Sequence, residues 1–145
     1  MDERERHFQQ RTMGLGLAVI AMTRSMQREF ASDVLARQLL RSATSVGANY
    51  RAACRARSDA EMIAKLCIVE EETDETIFWL SMLRESGTLP ARLTDPLAAE
   101  ANEILAMTVA SIRTIRSRST GSRASGRPSP AKASNPQSTI RNPQS

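Results

Sequence analysis

The stretch RSATSVGANYRAACR, Arg41 to Arg55, decides the fold. The apolar pattern around it demands a helix. It nevertheless carries Ser42, Thr44, Ser45, Gly47 and Asn49, residues that weaken helices, glycine by about 1 kcal/mol relative to alanine. At about 100° per residue, Leu35, Leu39, Ser42, Val46, Asn49 and Ala53 fall on one stripe, which is the expected core face. Arg37, Arg41, Arg51 and Arg55 fall on the opposite side, within an arc of about 80° and along about 27 Å of helix. No acid lies between Val34 and Ser58, so these arginines, and Arg57 just beyond them, have no partner at the next turn of their own helix. Ala43, Gly47 and Ala48 beside Ser42 and Ser45 remove bulk, which lets another helix approach closely on this flank. Asn49, placed inward, predicts a hydrogen bond to a neighbouring helix, because a buried amide without partners costs about 1–3 kcal/mol.

Outward from this segment, three more stretches carry helical periodicity. Helices are expected at about 7–28, 32–55, 58–86 and 94–117. In the first, Phe8, Met13, Leu17, Ile20 and Arg24 mark the expected inward face, weakened by Gly14 and Gly16. Ser32 or Asp33 can cap the second, and Ser58 with Glu61 forms a capping box for the third. Gly87 stops the third after "LRES", and Thr94 to Pro96 opens the fourth, with proline in the first turn. The connections are short, which favours antiparallel neighbours. An all-α, up-down antiparallel four-helix bundle over residues 1–117 is the expected fold, followed by a disordered basic Ser/Pro/Arg-rich tail over 118–145 in which NPQS occurs twice.

Composition supports this reading. Only 3% of the 145 residues are aromatic, which gives β-strands little to work with. The net charge of +4 comes from the tail: residues 1–117 hold 15 Lys+Arg against 16 Asp+Glu, and the tail holds the other five cations with no acid. Cys54 and Cys67, with no apolar leader segment, suit a reduced cytoplasmic setting and the role of small buried hydrophobes. No window reaches the roughly 20 apolar residues of a membrane span.

The expected third helix contains VEEETDET, Val69 to Thr76. Its core stripe of Met62, Leu66, Val69, Thr73, Leu80 and Leu83 turns polar at Thr73, so Glu70, Glu71, Glu72, Asp74 and Glu75 include side chains that point sideways or outward. A di-metal bundle site needs Glu-x-x-His pairs, and His7 is the sole histidine, so no metal site is expected. The acidic band is complementary in sign to the arginine line. Two uses of the arginines stay open: contacts between subunits, or contacts to phosphate. Catalytic machinery is not expected. Lys65 and Lys132 are the only lysines, and no phosphate loop, triad or cofactor motif occurs.

Ala36 to Gly87 resembles the four-helix-bundle family of 23S rRNA intervening-sequence proteins, or S23-like proteins. The family's Ser/Thr-rich turns running into "GAN" plus a small or aromatic residue are matched by Ser42, Ser45, Val46, Gly47, Ala48, Asn49 and Tyr50. The resemblance implies a non-enzymatic bundle that assembles into a homopentameric ring. One branch is similar to the accessory variability protein of diversity-generating retroelements, which binds a reverse transcriptase and nucleic acid through a basic surface. Carried over, that surface corresponds to Arg37, Arg41, Arg51, Arg55 and Arg57. RNA or DNA, a reverse transcriptase and further copies of the chain are thus the implied partners. The alternative is a pure protein-interaction module whose arginines are used in subunit contacts.

Overall fold

The computed structural model describes residues 1–124. Four α-helices follow one another: α1 (Glu3–Arg24), α2 (Phe30–Cys54), α3 (Asp59–Glu85) and α4 (Ala91–Ala124). No strand occurs among the described residues. α2 packs between α1 and α3, α3 packs on α4, and a slimmer seam between α1 and α4 closes the bundle. The residue pairs run in opposite directions along each neighbour, with Gly16 beside Ala43 and Gly47 beside Thr12, so the bundle is up-down and antiparallel.

Helix boundaries follow local chemistry. α1 begins four residues earlier than its periodicity suggests, because Asp2 and Glu5 form a reciprocal capping box. α2 begins at Phe30 behind Glu29, which provides no side-chain cap; Ser32 is instead buried in the first turn, its hydroxyl turned to Glu29. At α3, Ser58 accepts the Glu61 N–H as expected, while the Glu61 carboxylate reaches back to the N–H of Arg57 at 3.1 Å. Gly87, at φ 73°, ends α3 in the left-handed conformation that glycine adopts without strain. α4 starts before the expected capping site, since the Pro90 carbonyl already accepts the N–H groups of Leu93 and Thr94, and Pro96 lies inside the helix. α4 also continues seven residues past its expected end at 117, so that part of the expected disordered tail is helical. The remainder of that tail, from residue 125, lies outside the described residues.

Two apolar clusters fill the interior. Phe8, Leu15, Val46, Tyr50, Leu66, Val69, Ile104, Ile112 and Ile115 occupy the end where α1 and α3 begin. Val19, Met22, Leu39, Leu80, Leu83 and Leu89 occupy the other. Between them the fully buried hydroxyls of Ser42, Thr73 and Thr76 form a polar layer. Each stays satisfied by returning to a carbonyl on its own helix, and Thr76 also bonds Ser42 at 3.0 Å across the α2–α3 seam.

The inward face of α1 differs from the expected one. Phe8 is buried, but Met13 and Leu17 are 62% and 60% exposed. The true face is Phe8, Thr12, Leu15, Gly16, Val19 and Met22. Two small or polar residues on that face hide it from a search for large apolar side chains. Thr12 is admitted because its hydroxyl bonds the Gln9 carbonyl, and Gly16 lies against Ala43 of α2, where a Cβ would make an ordinary contact at 3.6 Å.

Candidate functional site

The small residues of α2 make its seam with α1. A Cβ at Gly47 would meet the Thr12 carbonyl carbon and oxygen at 3.4 Å, and Tyr50 places its ring edge-on to Phe8 with centroids 4.2 Å apart. Burial, then the neighbouring Cys54, push the Tyr50 hydroxyl pKa upward, so this phenol stays protonated and acts as packing. Ser42 is buried and tied to α3. Asn49 departs from expectation: it is half-buried at the edge of the stripe, and its amide donates at 2.9 Å to the carbonyl and hydroxyl of Ser45 on its own helix. One turn of spacing satisfies the amide without a neighbour.

Arg37, Arg41, Arg51 and Arg55 lie exposed on α2 as expected, and Arg57 follows in the connection to α3. They are not equivalent. Arg41 reaches across the α2–α3 seam to Glu72 at 3.2 Å and to Glu75, and Glu75 also accepts the Trp79 indole N–H at 3.1 Å. The hydrogen bond from Arg41, with a second from Trp79, holds the Glu75 carboxyl below its usual range, and the same bond raises the Arg41 guanidinium. For Arg41 the pairing expected between subunits is therefore made within one chain, because Glu72 and Glu75 lie on the side of α3 that faces α2. Arg37, Arg51, Arg55 and Arg57 form no ion pair among the described residues, and neither do Glu70, Glu71 and Asp74. Cys54 and Cys67 are free thiols, and no group of three His, Cys, Asp or Glu side chains forms a metal cluster among the described residues.

Three features are not legible in the sequence pattern. The first is the apolar strip of Met13, Leu17 and Ile20. It borders a groove of about 830 Å³ between α1 and α2, floored by Gly16, Ala43, Gly47 and Ala48. The second is an apolar patch on α3, where Phe78 and Met82 are exposed and Phe78 stacks edge-on against Trp79. Both are visible as apolar residues, but only the packing tells which of them stay outside. The third is Lys65. It faces Arg51, Arg55 and Arg57 across a cavity of about 430 Å³ at the α2–α3 elbow. A lysine inside an otherwise apolar helical run is the signal that could have found it.

Comparison with known proteins agrees with this architecture. Residues 4–110 match the family model described as 23S rRNA-intervening sequence protein. The chain is also similar to a crystal structure of a protein of unknown function from the S23 ribosomal protein family of Bacteroides thetaiotaomicron VPI-5482. That similarity has 29% identity and a TM-score of 0.67, and covers 72% of this chain and 97% of the other. No curated relative matches.

Proposed function

The chain belongs to the 23S rRNA-intervening sequence protein family, and from that premise we propose that it is a non-enzymatic scaffold that assembles with copies of itself and presents unpaired arginines to nucleic acid. The observation that carries the reading is the exposure of Met13 and Leu17 beside a groove with a glycine and alanine floor. Large apolar side chains grouped outside a well-filled core mark contact surfaces. The α3 patch of Phe78 and Met82 is a different surface on a helix diagonal to α1. Contact between the two is head to tail and closes into a ring when the rotation divides the circle. Five copies are what the family resemblance implies.

Light scattering on the intact chain tests the assembly. The expected mass is five times the 16.0 kDa chain. Leu17→Asp and Phe78→Asp, each on an exposed residue, are expected to give monomers with unchanged helicity. A monomeric wild type at about 50 µM, well above the Kd of a stable interface, would remove the assembly.

A second reading, protein contact alone, is favoured by one observation: Arg41 is already held by Glu72 and Glu75. Retention of RNA or DNA against salt separates the two. Phosphate contact requires affinity to fall steeply as salt rises, whereas protein contact alone gives no retention at low salt. An rRNA segment and a reverse transcriptase are the specific partners the family suggests for such a scaffold.

A further inference from the structure

The elbow joining α2 to α3 gathers four cations around one depression. Arg51 and Arg55 stand one turn apart at the end of α2, Arg57 lies in the connection, and Lys65 faces them from α3. Together with Ala48, Ala52 and Glu61 they line the cavity of about 430 Å³. Among the described residues, none of the four has a carboxylate within ion-pair distance. The one acid in the lining, Glu61, is engaged with the Arg57 backbone N–H. Four like charges converging on one space repel one another, and the single carboxylate in the lining, Glu61, leaves three of them without a counter-charge. The alanines beneath leave the room that a ligand would fill.

We infer that this pocket seats a backbone phosphate of a nucleic acid, with Arg51, Arg55, Arg57 and Lys65 as its cations and with no part played by Arg37 or Arg41. The inference rests on the nucleic-acid contact proposed above and places it. Guanidinium forks match phosphate oxygens two at a time, and a lysine adds a mobile point charge. The lining is polar and offers little apolar wall, which disfavours a lipid chain or an apolar peptide. A repeating polyanion fits better than a lone anion. Arg51, Arg55, Arg57 and Lys65 carry more positive charge than one phosphate neutralises, which a strand of phosphates matches. Arg37 lies about 27 Å from Arg55 along α2, and the Arg41 charge is neutralised by two carboxylates.

Anisotropy of a labelled single-stranded RNA of about 30 nucleotides, titrated with the full-length protein across about 50–200 mM salt, tests the placement. The double variant Arg55→Ala/Lys65→Ala is expected to bind at least tenfold more weakly, and its slope of log affinity against log salt should flatten by roughly one per lost contact. Arg37→Ala is expected to change neither quantity. Far-ultraviolet circular dichroism confirms that each variant folds. If wild type binds RNA and the double variant binds equally well, the pocket is overturned while the nucleic-acid reading stands. If wild type does not bind RNA at the lowest salt, that reading falls and this inference with it. Nitrogen-15 spectra of the arginine and lysine side chains, titrated with the same RNA, give a readout that needs no variant. Shifts confined to Arg51, Arg55, Arg57 and Lys65 support the pocket, and shifts confined to other cations overturn it.

Discussion

At the scale of single residues, several side chains are explained by the space around them. A methyl group added at Gly14 would meet nothing within 4 Å, so the glycine's only effect is to weaken α1. Gly14→Ala should raise the stability of the protein by about 0.5–1 kcal/mol, read as a shifted urea midpoint. Gly47 is different: a methyl fits at ordinary contact distance from Thr12, but a longer side chain must push α1 away. Gly47→Leu is expected to cost about 1–3 kcal/mol by the same measurement. Thr94 is buried, and its hydroxyl has no hydrogen-bond partner among the described residues. Thr94→Val removes an unsatisfied polar group at nearly constant shape and should stabilise by about 1 kcal/mol.

At the scale of helices, the seams differ in kind. The α1–α2 seam is close backbone approach at glycine, and the α2–α3 seam adds a hydroxyl bridge and the Arg41 cluster. The α1–α4 seam depends on Arg11, which bonds Glu100 through two nitrogens at 2.8 and 2.9 Å and also pairs with Glu103. These bonds, with Glu100 first, raise the Arg11 guanidinium, so it remains charged at every pH at which the protein is folded. Arg11→Met should loosen the seam between α1 and α4 and speed amide exchange in those two helices more than in α2 and α3. The α2–α3 cluster has a pH signature. Because the Glu75 carboxyl is held below its ordinary value, its contribution is complete above the unfolded carboxylate range near about 4.3 and is lost as pH falls through the lower folded value. The stability difference between wild type and Glu75→Gln should therefore be constant between about pH 6 and 7 and shrink as the pH falls below the unfolded range near about 4.3. Its size should stay below about 1 kcal/mol, since both partners are at least a third exposed.

At the scale of the whole molecule, charge and apolar surface are distributed unevenly. Unpaired cations gather where α2 ends and α3 begins, whereas carboxylates cluster along the middle of α3. Two separate apolar surfaces flank the outer face of α2. α4 contributes to the core no further than Ile115, and every described side chain from Arg116 to Ser122 is exposed. Removing residues 117–145 should leave the thermal midpoint within about 2 °C of wild type, because the described side chains that go, from Ser117 to Ser122, are all exposed. Among the described residues no helix is long and apolar enough to cross a membrane.

The sequence by itself determined the element count, the all-α class, the glycine stop at Gly87, the Ser58 cap and the two-sided character of α2. These are local: periodicity, caps and left-handed glycine act within a few residues. The close approach of a second helix at Gly47 was also legible, from the run of small residues around it. What only the tertiary structure decided is which side of α1 faces inward, where Asn49 finds its partners, that Arg41 is held by its own chain, and that Lys65 joins the arginines. Apart from Asn49, whose partner Ser45 is on its own helix, each of those depends on the rotation of one helix against another. A stripe containing Thr12 and Gly16 has too little apolar contrast to fix that rotation until α2 is packed against it.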